Sequence, residues 1–491
     1  MGEAKMRKLA RAEDEKLIRP MNPERFHLLS IGVRMAASRM IHGEISYWSD
    51  EREQLLGLVS VDFEDEDFAW IILARDRIGR FRACRVEGNI ASQPLATEML
   101  LREMADLVRN GIPPDFGWQG DEPNAPFDLL SVTHDSKLHP YFEIVQDDAG
   151  HMPAKEALKA IGPWLAPSDL HFVREFQTTA FDQRIWELYL WAAFRELGFD
   201  VKQPEAPDFA CSAPGIRFTV EATTASPSAG GALAKHPNPR TKEEHAEFLK
   251  HYMPMKFGSA LTSKLNKKNA AGQPYWDRPE TKDRPFLIAV ADFHKPGEKG
   301  EVGSMTYSHG ALWSYLYGKR VEFIPQETGG YWQLVKGETH VFGAKEVPTG
   351  FFDLPGAENI SAVLFSNAGT LPKFNRMGLR AGFVPKDHLY FRQGYRYDPS
   401  PDAFVGIPFM DDVLSPNYEE YWSDELQIFH NPNARNPIAP EAFGGITQYF
   451  FKDGDLHTIT PHNAVIASMT LVMRMVGDEE FEAAKEAQET K

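Results

Sequence analysis

The chain has 491 residues, of which 42% are hydrophobic and 12% aromatic, enough apolar side chain for packed interiors and too much for a disordered protein. Single cores stop growing near ~250–300 residues, so two domains are expected. Lys and Arg number 53 against 70 Asp and Glu, a net charge of −17, so any polyanion must be met by a local basic patch. The only cysteines, Cys84 and Cys211, exclude a disulfide framework and a cysteine-rich zinc site and fit a reducing compartment. The N-terminal run "MGEAKMRKLARAEDEKLIRP" has no apolar core of a secretory signal, and no window approaches the ~18 apolar residues of a membrane span. A cytoplasmic protein without membrane contact is the expectation.

In chain order, "EQLLGLVSVDF", "FAWIILARD" and "RFRACRVEGN" predict a meander of three strands, followed by a helix over "QPLATEMLLREMADLVRNG" that stops at Gly111. The Pro- and Asp-rich stretch 113–126 reads as loop. Residues 1–165 form the expected N-terminal α+β domain, with a regulatory or targeting role and no chemistry of its own. Residues 166–475 form the second, and 476–491 a charged tail. The second domain opens on a helix in "TTAFDQRIWELYLWAAFRELGFDV", where Thr179 and Asp182 have capping-box spacing and Gly198 has a C-terminal cap position. Strands follow in "FDVKQ", "PDFAC" and "IRFTVEA", the last two joined by the turn "SAPG". A second capping box, Thr241 with Glu244, starts a helix that Pro254 interrupts; a basic helix, "KFGSALTSKLNKKNA", is expected to run on to Gly272. "RPFLIAVADFH" reads as a buried strand, and "YWQLVKG", "ISAVLFSN" and "ELQIFHN" as strands extending the same sheet, with a helix in "HGALWSYLYG". The Gly/Ser/Pro run 225–239 reads as a loop. The predicted class is α/β, a mixed sheet flanked by helices.

If "PDFAC" and "IRFTVEA" pair about "SAPG", Asp208 lies across from Val220 or Glu221. Alternation puts Phe218, Val220 and Ala222 on one face and Arg217, Thr219, Glu221 and Thr223 on the other. Two carboxylates then meet at one end of the sheet, an arrangement that costs free energy unless a cation lies between them; Mg²⁺ or Mn²⁺ suits oxygen ligands. Glu187, in "RIWELYLWAAF", is positioned either as a third oxygen ligand or as the i,i+3 partner of Arg184.

A helix bearing Glu, a Pro-Asp opening a strand, a Glu ending the next strand and a Lys-bearing helix together resemble the PD-(D/E)xK nuclease superfamily, over roughly residues 170–295. The resemblance implies a restriction-endonuclease-like fold in which Glu187, Asp208 and Glu221 bind Mg²⁺ and a lysine orients or activates the attacking water. The usual lysine position, two residues after Glu221, is Thr223. Some members take the lysine from the neighbouring helix, and there Lys264 is the first choice among Lys256, Lys264, Lys267 and Lys268. With Asp208 and Glu221 it makes the expected catalytic set.

Helical spacing clusters these four lysines on about half the circumference, opposite Phe257, Leu261 and Leu265. Between Lys235 and Arg284 there are 11 Lys or Arg against 6 Asp or Glu, a local +5, and Lys256, Lys267 and Lys268 are the expected nucleic-acid contacts. The same lysines also suit a solvated face. Gln177 is a weaker polar candidate, and His294, His430 and the Asp292–His294 spacing read more readily as structural than as a second metal site. No P-loop, GxSxG or HExxH run is present. The expected function is a metal-dependent endonuclease acting on DNA, with defence against foreign DNA as the family-level role and a homo-oligomer or partner protein as an open option. Hydrolysis of another phosphoester stays open. The alternative from another class is a nuclease-fold binding or scaffold protein without catalysis.

Overall fold

A computed structural model describes residues 14, 16–34, 41–113, 116, 120, 128–165, 169–294, 308–326, 329–400 and 406–475. The expected tail, 476–491, and most of the loop 113–126 lie outside the described residues. Strands β1 (Ile18–Pro20), β2 (His42–Asp50), β3 (Leu55–Asp62), β4 (Phe68–Arg75) and β5 (Phe81–Ile90) form an antiparallel sheet in that order. The predicted meander is its last three strands. The helix Gln93–Asn110 covers one face, its stripe of Ala96, Leu100, Met104 and Leu107 meeting Val59, Trp70 and Ile72. It approaches closely because position 57 is glycine: a Cβ there would lie 2.5 Å from the Met104 sulfur.

The larger unit is an eight-stranded mixed sheet in the order β19-β18-β17-β14-β9-β8-β7-β6. Its first strands are β6 (Asp200–Lys202), β7 (Phe209–Ala213), β8 (Ile216–Thr224) and β9 (Phe286–Ala291). A hairpin of β10 (Lys319–Gln326) and β11 (Gly329–Lys336) and a pair of β12 (His340–Phe342) and β13 (Lys345–Val347) stand apart from it. The sheet resumes with β14 (Ala362–Ser366). Next in the chain come β15 (His388–Arg396) and β16 (Ile407–Asp412), then β17 (Gln427–His430), β18 (Thr447–Lys452) and β19 (Asp455–Ile459) of the large sheet, and β20 (Val465–Arg474); β16, β15 and β20 make a separate three-stranded sheet. The run "YWQLVKG" is therefore a strand, β11, but it pairs with β10 and does not extend the main sheet.

Parallel pairing of β8, β9 and β14 puts β9 in the middle with both faces covered, which is why "FLIAVA" is apolar at every position. Phe218, Val220, Ala222, Leu287 and Ala289 pack under the helix Phe181–Glu196. Phe286, Ile288 and Val290 pack on the other side, beneath the helices Met253–Leu265 and Ser308–Tyr317. The helices Pro140–Asp147 and Met152–Ile161 bury Phe142, Val145, Leu158 and Ile161 in the first of these cores, so packing assigns them to the large sheet, upstream of the expected boundary at residue 165.

Three local expectations are corrected. The helix at Phe181 starts after Ala180 with no side-chain cap; Thr179 lies one residue too early, so the first capping box does not form. The second does form, Thr241 and Glu244 exchanging both bonds. Pro254 falls at the second position of its helix, where no N–H is required, and a π turn over Phe248–Tyr252 carries the chain into it. That helix ends at Leu265 with Asn266 as cap, so Lys267 and Lys268 are not on it and the four lysines do not share a helical face. No helix of the described residues is long and apolar enough to cross a membrane.

Candidate active site

The hairpin of β7 and β8 turns on the two residues Pro214 and Gly215, the glycine at φ +76°, and this short loop fixes the register. Phe209 pairs with Val220. Asp208, one step before Phe209, therefore falls beside Glu221, one step after Val220, on the face toward the Met253–Leu265 helix. The Ala222 N–H donates to Asp208 Oδ2 at 2.7 Å. From the helix, Lys264 Nζ donates to Glu221 Oε1 at 2.6 Å, and the Tyr275 hydroxyl donates to the same oxygen at 2.6 Å. Lys264 thus reaches the acid pair from the helix, while position 223 holds a buried threonine.

Glu187 enters from the opposite layer, on the Phe181–Glu196 helix. Arg184 Nη1 donates to its Oε2 at 2.9 Å and Gln183 Nε2 to its Oε1 at 2.8 Å. The Arg184 guanidinium is also paired with Asp169 and Glu175. Glu187 therefore has both oxygens engaged by its own helix, the i,i+3 ion pair that the sequence allowed. Glu187, Asp208, Glu221, Lys264 and Lys267 nevertheless line one cleft of about 650 Å³.

The electrostatics follow from burial. Glu187 is 5% and Glu221 3% exposed. Burial, reinforced by the Glu221 and then the Glu187 charges, pushes the Asp208 carboxyl well above the usual carboxylate range, against the pull of Lys264. Burial likewise raises Glu187, with Arg184 opposing it. Burial and the adjacent Glu221 charge raise the Tyr275 phenol, so it stays protonated and donates. Ionisation of Asp208 beside Glu221 is thus disfavoured, and Lys264 offsets part of that cost.

Asp208 and Glu221 are the residues that could hold a divalent cation. The two hydrogen bonds to Glu221 both fall on Oε1 and the one to Asp208 on Oδ2, so Glu221 Oε2 and Asp208 Oδ1 accept none among the described residues. Glu187 joins them only by releasing Arg184 or Gln183. Consistent with that, no group of three or more His, Cys, Asp or Glu side chains among the described residues is gathered closely enough to surround a metal ion.

The basic residues separate. Lys256 is 4% exposed and donates to the Ser226 carbonyl and, at 2.8 Å, to Ser228 Oγ, pinning the 225–239 segment; it does not face the cleft. Burial lowers its pKa to about 8. Lys267 lines the cleft with its amine 5.8 Å from the Tyr275 ring centroid, while Lys268 is exposed and in a backbone bridge to Pro274. Gln177 is buried and donates to the Leu129 and Ser131 carbonyls, a structural role. His430 is hydrogen-bonded to Gln448 at 2.9 Å, and His294 is paired with Asp292 in the interior. Sequence reading missed Tyr275 and Gln183. Tyr275 lies 54 residues from Glu221 and carries no motif, whereas Gln183 is four residues before Glu187 and its i,i+4 spacing was available.

Comparison with protein-family models found no match to this chain, and comparisons with curated proteins and with solved structures found none either.

Proposed function

We propose that this protein is a metal-dependent hydrolase of DNA phosphodiester bonds with its active site at Asp208, Glu221 and Lys264. The observation that carries the reading is the Lys264 ammonium seated on Glu221 beside Asp208, in a cleft of about 650 Å³. Asp208 Oδ1 and Glu221 Oε2 are the oxygens that would hold Mg²⁺ or Mn²⁺. A bound divalent ion supplies a lowered pKa for water and a counter-charge for the phosphate. Lys264 places a positive charge where negative charge builds on the phosphate, and its hydrogen bond with that of Tyr275 keeps Glu221 in one rotamer. Ala222 N–H orients Asp208. Glu187 and Arg184 brace the cleft wall, with Glu187 as a third ligand only if Arg184 swings away. Lys267 is the basic contact closest to this site; defence against foreign DNA is the role that the family resemblance suggests.

One observation favours the non-catalytic alternative, a binding protein on the same fold: the Glu187 oxygens are closed by Arg184 and Gln183. The two readings separate in one assay. Purified wild-type protein incubated with plasmid DNA and Mg²⁺ is expected to nick or linearise it, with activity lost on chelation and in Glu221→Gln. A wild-type protein inert with Mg²⁺ and with Mn²⁺ would leave the binding reading.

A further inference from the structure

Beyond the acid pair, the same sheet face continues to the open edge of the sheet. Register places Lys202 opposite Ala210, and Ala210 opposite Thr219; Asp200 lies opposite Ser212, and Ser212 opposite Arg217. Side chains two apart on a strand share a face, so Asp200, Lys202, Arg217 and Thr219 lie on the face that carries Glu221. Arg284, in the bend just before β9, joins them by lining the same hollow. Among the described residues no helical side chain lines this corner. The result is a concave surface of about 530 Å³ lined by Lys202, Arg217 and Arg284 with Asp200, Ala210 and Ser212.

The charges here are of an unusual kind for this chain. Asp200 is paired with Arg195 at 3.0 Å and so is offset from within. Lys202 and Arg217 are exposed, and neither they nor Arg284 has an ion-pair partner among the described residues; Arg284 donates only to the Glu280 carbonyl. Three uncompensated cations in one hollow stand out in a protein of net charge −17. The hollow adjoins the acid cleft, because Lys202 lines one and its neighbour Gln203 the other. Along β8, Arg217 precedes Glu221 by four residues, about 13 Å at ~3.3 Å per residue, which matches the axial rise of about four nucleotides of one B-form strand.

We infer that Lys202, Arg217 and Arg284 form an anchoring subsite for the sugar-phosphate backbone of the DNA strand, about four nucleotides from the bond at the acid pair. The inference rests on the hydrolase reading for the identity of the polymer, and it makes the basic contact a feature of the sheet edge and not of the helix lysines. Glu205, beside Asp208, marks where the track turns acidic, so the backbone is held on the Lys202 side.

The test is binding of full-length Glu221→Gln protein to a fluorescein-labelled 20-base-pair duplex, followed by anisotropy across a salt titration, with and without Arg217→Gln and Arg284→Gln together. The expected result is about a tenfold or greater loss of affinity at low salt and a log–log salt slope shallower by about 2, since each phosphate contact contributes ~0.9. Lys202→Gln alone, at an exposed strand position that leaves folding intact, is expected to lower the slope by about 1, and Arg435→Gln, exposed and paired elsewhere with Glu358, to leave it unchanged. If the wild type cleaves DNA while the neutralised variants keep affinity and slope, the subsite is wrong and the hydrolase reading stands. If the wild type neither cleaves nor binds DNA, both fall.

Discussion

Replacing Lys264 by Met removes the one ammonium that touches Glu221 among the described residues while keeping a side chain of similar length on the helix. The Glu221 side chain is 4% exposed and that of Lys264 18%. Deleting one partner of a buried ion pair costs ~3–5 kcal/mol, because the other charge is left in low dielectric. Here the amine opens onto the cleft, and the Tyr275 hydroxyl still donates to the stranded carboxylate, so the expected loss is about 2–3 kcal/mol. Glu221→Gln with Lys264→Met removes both charges and is expected to cost about 1 kcal/mol or less relative to wild type. Urea melts of the wild type, both single variants and the double variant, made without divalent ions, give the coupling energy directly, provided the slope with denaturant is constant. Effects that add to within ~0.5 kcal/mol would refute the argument that these groups stabilise each other. On the proposed function, Lys264→Met also lowers Mg²⁺-dependent DNA cleavage by about 100-fold or more.

Asp208→Asn is expected to raise the stability of the metal-free protein at pH 7–8 by about 1 kcal/mol, since it removes a carboxyl whose ionisation is opposed in the fold by burial, Glu221 and Glu187 but not in the unfolded chain, and to abolish stabilisation by Mg²⁺; thermal melts with and without the ion check both halves. Asp182 gives a pH signature. Burial raises it from 3.8 to about 6, so its folded-state value lies above the unfolded one and stability is lost as pH rises from about 4 to about 6. Asp182→Asn should recover up to about 3 kcal/mol at pH 7 and nothing at pH 3.5, measured as the difference in urea midpoint from wild type, and a gap independent of pH would count against it. Glu420→Gln should cost about 3–5 kcal/mol: Glu420 is 1% exposed and accepts from Lys373 at 2.7 Å and from Arg376 Nη2 at 2.9 Å, tying the helix Leu371–Arg380 to the segment after β16. Burial acts to raise that carboxyl, but Arg376, Arg392 and Lys373 hold it well below the usual range, so its contribution is lost only as pH falls below the ordinary glutamate value; a variant as stable as wild type at pH 7 would contradict this.

What the residues determined by themselves is local. The strand runs of β3, β4 and β5, the turn at Pro214-Gly215 and the all-apolar β9 each follow from interactions within a few residues, and a hairpin about that turn is enough to bring Asp208 across from Val220 or Glu221, between which the observed register chooses Glu221. The i,i+3 spacing also contained the Arg184–Glu187 pair, although it left open which partner that carboxylate takes. Tertiary packing decided the rest. Only the meeting of the Met253–Leu265 helix with β8 brings Lys264 to Glu221 across 43 residues, sends Lys256 inward to the Ser226 carbonyl and leaves Lys268 in solvent. A helical repeat says which side chains share a face, but not where the helix stops, and Asn266 stops it before two of the four lysines. The uncovered corner at Arg217 was equally hidden, because whether a strand's charged face meets a helix or water depends on how far along the sheet the crossover helix is laid down.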